Sequence, residues 1–153
     1  MRIGLQRARG EDLPEALRVA AAYPSEWQPA LFEELGWRAG EDRWDDFDAL
    51  LAQVPQEARC AFVQGAARGR VIRSPWTTTE AADAQVEELA LRGAECQTSA
   101  WRGVAWGLLL TWEHSAGGPE QRASQLSEGP ARDGVLLSLE QLQTGPRGQP
   151  WQP

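Results

Sequence analysis

The sequence contains no lysine and no asparagine, and it has only one histidine, one tyrosine, one methionine and two cysteines. All 15 basic residues are arginine, which reads as a bias toward GC-rich codons and not as chemistry. A single histidine cannot anchor a metal site unaided, and His114 reads as a surface residue that meets a helix C-terminal dipole favourably. Long apolar runs are missing too. The longest, Val104 to Trp112, is broken by Gly107 and Thr111, well short of the roughly 20 residues a membrane-spanning helix needs. No membrane association is expected. Positive charge is scarce relative to negative. A net charge of −7 excludes a general nucleic-acid binder, whose footprint is basic. With no signal peptide in evidence, the expected compartment is the cytoplasm, where Cys60 and Cys96 are expected as two reduced thiols.

What is present suffices for one folded domain. The 153 residues, 42% of them hydrophobic, divide into a domain over 1–143 and a Gly/Pro-rich tail over 144–153. Eight tryptophans are expected mainly to fill the core and cap its rim. Along the chain, Arg2 to Ala8 reads as a strand. Leu13, Ala16, Leu17, Ala20 and Ala21 form a helical stripe that ends before Tyr23-Pro24. Trp27, Leu31, Phe32 and Leu35 mark a second helix, stopped at Gly36, and Asp42 to Gln53 a third. Pro55 then changes the period: Ala58 to Gln64 and Gly69 to Ser74 read as two strands around the Gly65–Gly69 loop. Thr79 to Leu91 favours a helix on propensity. Gly103 to Ser115 reads as a helix, Gln121 to Leu126 as a short strand, and Arg132 to Gln143 as a final helix or strand. No internal repeat is evident.

The stretch with most chemistry in it is Ser99-Ala-Trp-Arg-Gly-Val-Ala-Trp-Gly-Leu-Leu-Leu110, small residues running into an apolar helix. Amides of such a bend, ahead of a helix start, make a cradle for a phosphate or pyrophosphate. Read as Arg-x-x-Ala-x-Gly over Arg102 to Gly107, it resembles the pyrophosphate loop of GCN5-related N-acetyltransferases, with alanine in place of one glycine. Leu5 to Leu17 looks like that family's opening strand and helix, and Ala58 to Val71 like its hairpin; the resemblance also sets a loop and then a strand over Thr77 to Gly93, against the helix propensity of Thr79 to Leu91.

The resemblance implies an α+β fold, a mixed and mainly antiparallel sheet with helices on both faces. It also implies acetyl-CoA as cosubstrate and acetyl transfer to a small-molecule or peptide amine. Arg102, Gly103, Val104, Ala105, Trp106 and Gly107 would hold the pyrophosphate, while Cys96, Gln97 and Thr98 would align the thioester. Glu87, Glu88 and Glu95 are the candidate general bases. The family's thiolate-protonating tyrosine falls on Leu139, so a catalytically inactive relative is the natural alternative.

A reading from another class starts at Glu41-Asp-Arg-Trp-Asp-Asp-Phe-Asp48. Asp42, Asp45 and Asp46 share one helix flank with Trp44 and Phe47 beneath, and EF-hand spacing is absent. This is a solvated face, or the docking surface of an acidic protein-binding module for a basic partner. A homodimer is compatible with all three readings.

Overall fold

A computed structural model describes residues 12–112 and 117–145. Every regular element among them is helical: α1 (Leu13–Ala21), α2 (Gln28–Asp42), α3 (Phe47–Ala52), α4 (Arg59–Arg73), α5 (Thr79–Arg92), α6 (Gln97–Trp112), α7 (Gly118–Ala123) and α8 (Pro130–Thr144). Short 3-10 turns over Trp44–Asp46, Gln56–Ala58 and Ala94–Cys96 lead into α3, α4 and α6.

The expected α+β fold is thereby corrected. N-acetyltransferases are built on a sheet, and no strand occurs among the described residues, so the resemblance and the acetyltransferase description it carried do not hold. The anticipated hairpin over Ala58 to Ser74 is the single helix α4. The anticipated strand over Gln121 to Leu126 is α7 and the turn after it. The first anticipated strand, Arg2 to Ala8, lies outside the described residues, as do His114 and most of the tail.

The reason is the use made of glycine. A four-residue spacing puts two glycines on one face of a helix, where their missing side chains leave a flat track for another helix. Three helices carry this pair: Gly36 and Gly40 on α2, Gly65 and Gly69 on α4, Gly103 and Gly107 on α6. A Cβ on Gly36 would overlap the carbonyl oxygen of Phe62 and sit 2.8 Å from its carbon. A Cβ on Gly40 would stand in the same relation to Ala66, 2.9 Å from the carbon. In return, Gly65 abuts the Glu33 carbonyl and Gly69 that of Trp37. Gly103 and Gly107 repeat the arrangement against Gln64 and Arg68. In each pair both helices advance by four residues in the same direction, so α2, α4 and α6 run parallel. The glycine hydrogens face neighbouring carbonyls, a geometry that Cα–H···O contacts favour.

The result is a layer in which α2 packs on α4, α4 on α6, and α6 on α8, with α3 and α5 returning the chain between parallel neighbours. On α8, Gly134 lies flat against the Trp101 ring of α6. The central helix α4 is buried continuously from Ala61 to Gly69. One core runs through the array, from Leu13 and Leu17 of α1 through Phe32 and Leu35, Phe47 and Leu50, Phe62, Val86 and Leu89, to Val104, Leu108 and Leu139. Phe47 stacks on Phe62 with ring centroids 5.7 Å apart and meets Trp44 at 4.9 Å.

Of the eight tryptophans, Trp44 and Trp76 are buried, Trp37, Trp101, Trp106 and Trp112 half-buried, and Trp27 exposed, while Trp151 lies outside the described residues. The expectation of a core-and-rim role therefore describes most of them. No helix among the described residues is long and apolar enough to cross a membrane.

The segment over Thr79–Leu91 follows its propensity. Thr78 is extended, and its Oγ1 accepts the Ala81 amide at 3.1 Å, capping α5. The other end of the array is tied to α5 by Asp83, which accepts from the Ser127 hydroxyl and, at 2.9 Å, from the Ser127 amide. Those two bonds, the hydroxyl first, hold the Asp83 carboxyl below its ordinary range. A lowered folded-state value gives a stabilisation that is complete above the unfolded value of about 3.9 and lost as pH falls through the folded one. The melting-temperature difference between the parent and Ser127→Ala is therefore expected to shrink steadily on acidification from about pH 5 to pH 2. A difference independent of pH would rule out this link.

Candidate functional site

The residues expected to form a cofactor cradle are all placed by the fold, but in other roles. Gly103, Val104, Ala105 and Gly107 are buried in the middle of α6, where backbone amides bond to the preceding turn of their own helix. The expected bend is thus helix interior, and bulk at Gly103 strikes the α4 backbone. Arg102 and Trp106 are half-buried on α6, while Gln97 and Thr98 are exposed in its first turn.

The candidate bases are not brought together. Glu87 is exposed on α5. Glu88 accepts from the Trp44 indole at 3.0 Å, and Glu95 from Gln56 at 3.4 Å. Cys96 is bonded to Cys60, with Cα atoms 5.1 Å apart, which corrects the expectation of two reduced thiols. Sequence reading left open whether the fold would join them, because they stand 36 positions apart with the whole of α5 between.

The acidic run forms an edge. The sequence reading placed it on one helix. Instead Asp42 closes α2, Trp44–Asp46 makes a 3-10 turn, and Asp48 lies in the first turn of α3. Trp44 and Phe47 do point beneath it, at 8% and 1% exposure, which fixes the turn to the core. Asp42, Asp45, Asp46 and Asp48 are exposed. Glu41 accepts from the Trp37 indole at 2.9 Å, and Asp46 from Arg43 at 2.9 Å. Trp44 is held from the far side as well: Arg92 donates to its carbonyl oxygen at 3.0 Å and stacks 4.7 Å from its ring centroid. Arg92 also pairs with Glu88 at 3.4 Å, and Arg70 lies 5.3 Å from the same ring. The edge therefore combines surface carboxylates with a rigid footing.

A second polar group lies inside the helical layer. Glu33 of α2 meets Arg68 of α4 at 3.8 Å and accepts from Gln64 at 3.3 Å, with both charged side chains only 10% exposed. The Arg68 guanidinium lies 3.8 Å from the Trp37 ring centroid and 5.9 Å from that of Trp106. Burial pushes Arg68 down from its ordinary range, while Glu33, Glu34 and Glu41 pull it back up. Arginine keeps its charge through such a shift. Sequence reading missed this cluster. The available signal was Glu33, Gln64 and Arg68 at core-facing helical positions, and it was hidden by reading α4 as strands.

Comparison with protein-family models, with curated proteins and with solved structures finds no match to this chain.

Proposed function

We propose that this chain is a protein-binding helical module that takes a basic, arginine- or lysine-rich segment of a partner on its 41–48 edge. The observation that carries this reading is the rigid presentation of the edge. Exposed carboxylates of Asp42, Asp45 and Asp48 stand on a turn that Trp44 and Phe47 anchor in the core. Five acidic residues accompany the single Arg43 in this run, and Arg43 is already engaged by Asp46. Preorganised charge of one sign steers and orients an oppositely charged partner. A helical array is suited to this, since its seams fix the surface while connections such as 43–46 carry the recognition residues.

The test separates the edge from net charge. An arginine-rich peptide is titrated against the parent, against Asp42→Asn/Asp45→Asn/Asp48→Asn, and against Glu57→Gln/Glu80→Gln/Glu128→Gln, which removes the same charge from exposed sites elsewhere. The edge variant is expected to lose about tenfold or more in affinity at low salt, and the control to lose little. Equal losses in both would sink the proposal. Acetyl-CoA, CoA and ATP form the opposing arm of a thermal-shift titration. Stabilisation by a CoA species without peptide binding would replace this reading by one of ligand binding.

A further inference from the structure

Trp44 is the footing of the acidic edge, and apart from the Arg70 guanidinium of α4 its outer partners, Glu88 and Arg92, come from the last turns of α5. Four residues after Arg92, the chain is fastened by Cys96 to Cys60 in the first turn of α4. Glu95, between them, accepts from Gln56 in the turn that leads into α4. The exit of α5 is thus tied covalently to the helical layer at one point, and Trp44 hangs from the segment so tied. The glycine seam between α4 and α6 lies beyond the bridge, at Gly103 against Gln64 and Gly107 against Arg68, and does not depend on it.

We infer that the Cys60–Cys96 disulfide is a reducible clasp that sets the rigidity of the acidic edge, opened by a dithiol reductant. Two observations make the bridge open to exchange. Cys60 is half-buried in the first turn of α4, whereas Cys96 is 6% exposed, so the Cys60 side of the bridge is the more open of the two to an incoming thiolate. Cys96 immediately precedes α6, and a thiolate leaving there is favoured by the positive end of the helix. In the reaction, a reductant thiolate attacks Cys60 Sγ, forming a mixed disulfide and expelling the Cys96 thiolate. The second reductant thiol then attacks its own sulfur in the mixed disulfide and releases Cys60. Two electrons and two protons pass to the cysteines, and the reductant leaves as a disulfide.

The consequence is local. With the clasp open, the Gly93–Cys96 link and the α5 C-terminus lose their covalent tie, and the Glu88 and Arg92 contacts to Trp44 loosen. The seams among α2, α4 and α6 persist. As regulation of the edge, this rests on the basic-partner reading above; as an opening of the fold, it stands alone.

The experiment uses the full chain, oxidised and after dithiothreitol, with Cys60→Ser/Cys96→Ser as a permanently open form. Hydrogen exchange at 88–98 is expected to quicken about tenfold or more on reduction and in the double variant, while amides of 62–69 keep their protection. The arginine-rich peptide is expected to bind about fivefold more weakly to both open forms. Reduction that proceeds only in denaturant overturns the clasp, and so does exchange identical in both redox states. Quickened exchange with unchanged peptide affinity keeps the clasp and overturns its control of the edge. Absence of peptide binding in every form defeats the basic-partner reading, and exchange then decides the clasp by itself.

Discussion

Replacing Gly65 by alanine is expected to destabilise the protein by about 3 kcal/mol, at the upper end of the cost of overpacking a core. At an ordinary helix position the same change is favourable by about 1 kcal/mol, because alanine is the better helix former. Here the sign reverses. The new Cβ would overlap the Glu33 carbonyl oxygen and lie 2.8 Å from the Trp37 nitrogen, and both are main-chain atoms of α2 that no rotamer change can move aside. Nor can α4 step back, since Gly103 brings α6 against Gln64 on its other side. The two helices must part, and the core contacts of Phe32, Leu35 and Phe62 are stretched with them.

For a chain of this size about 3 kcal/mol lowers the melting temperature by roughly 10 °C, read by circular dichroism. Gly107→Ala provides the graded comparison. Its Cβ would meet Arg68 O and Val71 Cβ, both at 3.0 Å, and part of that contact is a side chain. The loss there is expected to stay within about 1 kcal/mol, because helix propensity offsets mild crowding. A Gly65→Ala protein that melts at or above the parent temperature would mean that the helices are not in backbone contact.

The same glycines explain how much of this fold could be read from sequence. Where an apolar stripe or helix propensity carried the signal, helices were legible: Leu13 to Ala21 coincides with α1, and alanine-rich Thr79 to Leu91 with α5 despite the loop and strand that the family resemblance sets there. Where small residues carried it, they were not. Gly36 reads as a stop, yet α2 runs on to Asp42 because that glycine is needed inside the seam. Gly65-Ala-Ala-Arg-Gly69 has the composition of a loop, and Val71-Ile72 after it the composition of a strand. Buried on every side, α4 has no polar stripe to reveal its 3.6-residue period. The common four-residue glycine spacing of α2, α4 and α6 stands in the sequence, but the residues around it differ from helix to helix, so it does not register as an internal repeat. Helix–helix approach uses glycine for its absent side chain, phosphate loops for its accessible backbone; composition alone does not separate the two. The acidic edge was legible because surface charge and the buried rings below it alternate locally. The Arg92 and Glu88 contacts that brace it join positions more than forty residues apart in sequence.

Glu33→Gln is expected to cost about 3 kcal/mol, although it preserves the shape of the side chain and leaves an oxygen for Gln64 to donate to. The carboxylate is the nearest counter-charge to a guanidinium that is only 10% exposed. Stacking on Trp37 at 3.8 Å supplies some compensation, but Arg68 Nε is buried and already lacks a partner. Removing the charge leaves a desolvated cation whose remaining acidic neighbours, Glu34 and Glu41, are more distant in influence than Glu33.

The pair itself is a weak source of stability, since desolvating two ions offsets most of their attraction. The double variant Glu33→Gln/Arg68→Met should therefore recover much of the loss, with methionine filling the volume against Trp37. A coupling between the two sites of about 1–3 kcal/mol is expected from a double-mutant cycle in urea. The cost of Glu33→Gln should also persist in high salt, because ions reach exposed pairs such as Arg18–Glu15 and not one enclosed by α2 and α4. Strict additivity of the two substitutions would mean that Glu33 and Arg68 act separately, and that Gln64 and the Trp37 ring alone satisfy their buried groups.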